Sequence, residues 1–275
     1  MNAEWAVSKP SWRATHLGAV VQRHPLWMRT AYGFAILMTM CAVCALFDDR
    51  TFNGASIWSK PFKFSLSVAV YFATLAWFVP LLPHGYIESR KGLWLTLIPV
   101  ACAVFEIAYI TLQASRGEAS HFNNTSAFYS VMYGFMGAGA IAMVSICLWM
   151  GVVILRHRGT ASPYALAVGV GLVLTFLLGG GFGGYLGAQT SHWVGGTQSD
   201  ANGIWLMKWS RDGGDLRVAH FFGMHAMQVL PLIAAALPAR APHRIAVGFV
   251  MGAACLYTAL CVYAFVRALQ GVPFF

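Results

Sequence analysis

Charge is what this sequence has least of. Asp, Glu, Lys and Arg make up 10% of its 275 residues, where a soluble domain carries roughly 25%. Acid is scarcer than base: 9 Asp+Glu stand against 18 Lys+Arg, for a formal net charge of +9. With 58% hydrophobic residues and a mean hydropathy of +0.63, the chain has too little polar surface to coat a soluble fold. Other things are missing too. No linker is long enough to hold a separate soluble domain. No repeat period is evident, so nothing argues for an inverted-repeat transporter. No nucleic-acid-binding motif accompanies the positive charge, which is instead assigned to loops that set membrane topology and meet anionic lipid. The six cysteines all fall inside apolar runs and are read as small hydrophobes. Cys41-Ala-Val-Cys44 has the spacing of a metal or redox pair but no second pair to complete it.

What is present in quantity is apolar sequence in long blocks. Runs of about 18 or more apolar residues are long enough to cross a bilayer as helices. Seven are expected, at about 30–47, 60–82, 92–113, 127–154, 163–187, 218–238 and 245–267. Pro61 and Pro163 suit first helical turns, where no N–H is required. Ahead of them, residues 1–29 mix Lys9, Arg13, Arg23 and Arg29 with Trp12, Leu17, Val20 and Val21 at roughly helical spacing, the pattern of an amphipathic helix on a membrane surface. A cleaved signal peptide fits less well, because the basic segment is long and no small-residue cleavage site follows. The fold class expected is therefore all-α. Residues 30–275 form a polytopic bundle of seven transmembrane helices, with residues 1–29 as an interfacial segment.

Ten Lys and Arg fall on the side of the N-terminus and eight on the other. This bias places the N-terminus inside and the C-terminus outside, in a bacterial cytoplasmic (inner) membrane. The outer side then receives three loops rich in unusual polar residues: 48–60, 114–126 and 188–217. Loops with chemistry of their own are commonly functional, so the site is expected at the outer end.

The polar residues inside the spans point the same way. Glu106 is the single acidic residue in mid-span, and an intramembrane carboxylate marks function by default. Glu106, Tyr109 and Gln113 share a face of the third span, with Arg116 following. In the sixth span Arg217, His220, Met224 and Gln228 form one stripe at about 100° per residue, with His225 on its shoulder. Depth along the helices suits a Glu106–His225 rung and a Gln113–Arg217 rung, provided the third and sixth spans are near neighbours. The bland reading is that Glu106 pairs with His225 or Lys63 only to fix packing. His220 and His225 are five apart, not the three or four of a two-histidine metal motif. His121 and His192 approach from the outer loops, so His121, His192 and His220 are candidate zinc or iron ligands. Asp215, after Gly213-Gly214, is read as a helix N-cap. The glycines of Leu178-Gly-Gly-Gly-Phe-Gly-Gly-Tyr-Leu-Gly187 and Gly134-Phe-Met-Gly-Ala-Gly139 serve either close helix packing or a flat face for a planar group such as haem, quinone or a lipid tail.

Gln113-Ala-Ser-Arg-Gly117, Ser120-His-Phe-Asn123 and Gly213-Gly-Asp-Leu-Arg-Val-Ala-His-Phe221 together resemble segments of a family of bacterial integral-membrane proteins with no assigned activity. The resemblance covers spans three to six and implies a membrane location but no reaction. Retinal-binding seven-helix proteins are excluded, because residues 245–267 hold no Lys. Alkaline-ceramidase-like zinc hydrolases are similar in span count and intramembrane histidine, but their late-span histidines are four apart.

Several functions remain open. In the first, a haem or other redox cofactor takes His220 or His225 as axial ligand, with His121, His192 or a methionine opposite, Arg116 and Arg217 pairing with propionates, and Gln113 and Gln228 lining the site. In the second, a metal-dependent membrane hydrolase or lipid-modifying enzyme uses zinc or iron on His121, His192 and His220, with Glu106 or Asp215 as base. In the third, a transporter, channel or receptor works through the Glu106–His225 level. In the fourth, the chain is an accessory subunit whose polar rungs only fix packing. The partners expected are membrane lipid and a small-molecule, quinone or lipid ligand, without nucleic acid.

Overall fold

The computed structural model describes residues 24–159 and 161–275. It has seven helical spans, each long and apolar enough to cross a membrane. The first, α1 (Pro25–Phe47), starts about five residues earlier than the apolar run implies. Pro25 occupies its first turn, and the ring of His24 accepts from the Trp27 N–H at 3.2 Å as a cap. Residues 25–29 thus belong to α1, and residues 1–23 of the expected interfacial segment lie outside the described residues. Next comes α2 (Ser59–Phe78), which ends in a 3-10 turn. Ser89 caps α3 (Arg90–Arg116), which stops at Gly117. There φ is +71° and the Gly117 and Glu118 N–H groups turn back onto Ala114 and Gln113 carbonyls, the usual glycine-terminated helix end. Ser126 caps α4 (Ala127–Arg158).

The fifth span is interrupted. Ser162 and Pro163 start α5 (Pro163–Leu174), a π-helical turn follows over Thr175–Gly180, and the chain resumes as α6 (Gly181–Gly187). The sixth and seventh spans are α7 (Leu216–Ala236) and α8 (His243–Leu269). Asp215 caps α7 as expected: its Oδ1 accepts from the Arg217 N–H at 3.0 Å.

Helix α1 packs on α2, and α3 packs on α1, α2 and α4. Helix α7 packs on α5, the π turn, α6 and α8. Helices α3 and α7 therefore share no packed interface. Contact at the π turn is backbone on backbone: a Cβ on Gly223 would stand 2.5 Å from the Gly179 nitrogen, so only glycine permits this approach. The largest core cluster joins Trp27, Phe72, Leu75, Leu95, Ile154 and Leu172, which fill the end of the bundle where α1, α3 and α5 begin. A second cluster ties α5, α7 and α8. A third places Trp209, Val218 and Ala264 under the opposite end.

At that opposite end the three long loops meet. Arg50 donates to the Ser115 carbonyl at 3.0 Å, and the Asp200 N–H donates to the Asn53 carbonyl at 2.7 Å. Two short antiparallel ladders brace them: β1 (Thr51–Phe52) with β2 (Ala55–Ser56), and β3 (Trp193–Val194) with β4 (Gly214–Asp215). Asn53-Gly54, both at positive φ, form the two-residue turn of the first.

Candidate functional site

The loop-bearing end of the bundle contains two polar assemblies, built on different residues from those that helix periodicity pairs. The first is a clasp around Arg217. Its guanidinium lies 2.7 Å from Asp215 and 2.9 Å from Asp200, donates to the Lys208 carbonyl at 2.7 Å, and faces the Trp193 ring at 6.0 Å. Lys208 is held at φ +60°, a strained conformation for a residue with a side chain. Arg217 therefore fastens the 188–215 loop to the first turn of α7. Gln113, buried, donates to Glu118 at 3.3 Å and to the Ala119 carbonyl at 3.2 Å. It organises its own loop and does not meet Arg217. Arg116 pairs with Glu118 at 3.2 Å, largely in the open.

The second assembly is a ring of imidazoles and aromatics. His220 comes from α7, and its Nδ1 lies 2.8 Å from the carbonyl oxygen of Gly179 in the π turn. A carbonyl only accepts, so Nδ1 carries the hydrogen, and in the neutral ring Nε2 keeps its lone pair. Gly183 gives that ring its seat: a Cβ there would stand 2.7 Å from the His220 Cε1 and Nδ1. The glycine run thus houses His220 and the α7 backbone, while Gly181 and Gly184 meet nothing within 4 Å.

His121 stacks obliquely among Phe64 at 5.5 Å and Tyr133 at 5.8 Å, and Phe122 reaches His192 at 6.2 Å between ring centres. Phe122 has φ +57°, an outlier for an aromatic residue and a form of strain that clusters at functional sites. Burial holds the His121 imidazole well below its ordinary pKa, and the positive charge of Lys60 acts in the same direction. Burial also lowers His192, more than Asp200 can offset. The His192 Nε2 stands 3.8 Å from Asp200 and is buried without a hydrogen bond among the described residues. Both loop histidines are therefore neutral at pH 7. His121, His192 and His220 do gather in one region, yet among the described residues no three His, Cys, Asp or Glu side chains are arranged to hold a metal ion.

Glu106 is 6% exposed, and its Oε2 is buried with no hydrogen-bond partner among the described residues. The charge acting on it is Lys60, which helical periodicity in α3 and α7 could not reveal. Lys60 itself makes no hydrogen bond among the described residues and lies 5.8 Å from the Phe64 ring. Lys63, one turn on, donates to the Met207 carbonyl at 3.2 Å. His225 does not meet Glu106. Its Nδ1 lies 3.2 Å from Gln228, and Gln228 donates to Thr74 of α2 at 3.1 Å, a polar bridge across the middle of the bundle. The Phe221 ring covers His225 at 4.2 Å. The Glu106–His225 and Gln113–Arg217 rungs are thus replaced by four separate arrangements, because α3 and α7 turn toward different neighbours. All six cysteines are free.

Comparison with models of protein families, with curated proteins and with solved structures finds no match to this chain. What defines the class is the architecture itself: seven apolar helices with a polar, histidine-bearing end.

Proposed function

We propose that this is a multi-pass protein of the bacterial cytoplasmic membrane, N-terminal side inward, whose outer end binds a redox-active metal group through His220, haem being the leading form. The observation that carries this reading is the 2.8 Å contact of His220 Nδ1 with the Gly179 oxygen. A second hydrogen bond that fixes the tautomer and turns Nε2 toward a ligand is how metal-binding histidines are held. A π turn in the partner helix, a feature frequent at functional sites, supplies that oxygen. His121, enclosed by rings, would supply the second protein ligand to the group. Lys60 replaces Arg217 as the group suited to a propionate, since Arg217 is engaged by two carboxylates.

One further observation favours a second reading. Glu106 Oε2 is buried and has no hydrogen bond among the described residues, as suits a base; it would serve a metal-dependent hydrolase if His121, His192 and His220, which do not form a metal cluster as they stand, closed on an ion. Passage of an ion or solute through the bundle receives less support, because aliphatic and aromatic side chains pack the other end.

Purification in mild detergent, with an optical spectrum and iron, copper and zinc analysis on one sample, tests this. A Soret band with stoichiometric iron, both lost in His220→Ala, is the expected result. Stoichiometric zinc without a Soret band replaces the first reading by the second. Absence of every metal sinks both.

A further inference from the structure

The end of the bundle opposite the histidines carries a groove that none of the readings above uses. It lies between the start of α3 and the last turns of α4, encloses about 640 Å³, and is lined by Lys91, Arg156, Tyr86, Trp149, Leu148 and Val152 among others. The side chains are layered. Lys91 and Arg156 are exposed at the rim, and among the described residues neither forms an ion pair or a hydrogen bond with the protein. Trp149 donates to the Tyr86 hydroxyl at 2.8 Å, which ties the two amphipathic rings of the groove together. On α4, Val153 and Val152 follow Arg156 one turn down and Trp149 and Leu148 lie about two turns down; Leu148, Val152 and Val153 form an apolar wall, and the neighbouring Leu93 and Trp94 are more than half exposed.

Two cations without an ion pair among the described residues, set above a wall of aliphatic and aromatic side chains, match the order of a phospholipid from phosphate to acyl chain. Basic pockets between membrane helices take anionic headgroups. A freely dissolved phosphate would use the rim but leave the aliphatic wall empty. We infer that this groove is a specific site for one anionic phospholipid, with Lys91 and Arg156 on the phosphate and Leu148, Val152 and Val153 against an acyl chain.

The test uses the full chain, delipidated in detergent and titrated with phosphatidylglycerol or phosphatidylcholine while bound lipid is followed by native mass spectrometry. Phosphatidylglycerol is expected to bind at one site about tenfold to thirtyfold more tightly than phosphatidylcholine, the preference two rim cations supply. The Lys91→Gln/Arg156→Gln double variant is expected to lose that preference while keeping its thermal melting. Arg240→Gln, an exposed cation of the same end outside the groove, is expected to keep it. Three results overturn the site: equal binding of the two lipids, an equal loss in Arg240→Gln, or displacement of phosphatidylglycerol by millimolar inorganic phosphate. If the double variant misfolds, Val152→Trp, which fills the wall and leaves both cations, must still abolish one-site binding.

Discussion

At the scale of single residues, Arg217 is the group on which most depends. Its removal leaves Asp215, almost wholly buried, and Asp200 without their cation, and stranding a buried charge costs about 3 kcal/mol or more. Arg217→Ala should therefore lower the melting temperature by several degrees and expose the 188–215 loop to protease. Arg217→Lys should recover only part of this, since an ammonium cannot reproduce the fork that spans two carboxylates. Circular dichroism melts and limited proteolysis of both variants check it. Half of this clasp was legible in the sequence. Gly213-Gly-Asp215 before an apolar run reads as a cap and is one. Asp200 was not legible, because an ion pair across a 17-residue loop leaves no periodic trace. Glu106 was legible as the one mid-span acid, but its neighbour Lys60 was not: periodicity gives the face a residue occupies and says nothing about which helix stands opposite.

At the scale of elements, the π turn in the fifth span and its glycines decide where His220 points. Gly183→Ala puts a methyl against the imidazole, and the ring is the part free to move, so the fold should survive at a cost of about 1–3 kcal/mol while His220 is displaced. The same change at Gly181, which meets nothing within 4 Å, should be silent. The pair separates seat from scaffold. Metal content and optical spectrum should fall in Gly183→Ala alone, and equal behaviour of the two variants would remove the assigned role of the glycine. The existence and order of all seven helices were readable from apolar run length, and Pro163 marked its helix start. The extra residue of the π turn was not readable, since a glycine run is compatible with close packing, a flat ligand face and an irregular turn alike. The early start of α1 was hidden because a histidine cap is rarer than Ser, Thr, Asp or Asn.

At the scale of the whole molecule, pH should act through the loop histidines. His121 and His192 both lie below the ordinary imidazole value of about 6.5. Between those lowered values and about 6.5 the unfolded chain binds more protons than the folded one, so stability rises with pH across that window and is lost as pH falls below about 6.5. Melting temperatures from pH 8 to pH 5 should drop at the acid end, and His121→Gln should flatten the drop. A curve unchanged by that substitution would show that His121 titrates freely. The two ends also differ chemically: the histidine end is laced with carboxylates, while among the described residues Lys91 and Arg156 of the groove end form no ion pair.

The clasp and the imidazole sit on one turn of one helix: Arg217 and His220 are three residues apart on α7, and side chains at that spacing are neighbours. The loop that roofs the site is thus bolted to the same ratchet tooth that aims Nε2. Loss of the Asp200 tether should therefore also be felt at the ring about 5 Å along the helix. Clasp and imidazole share one turn of α7.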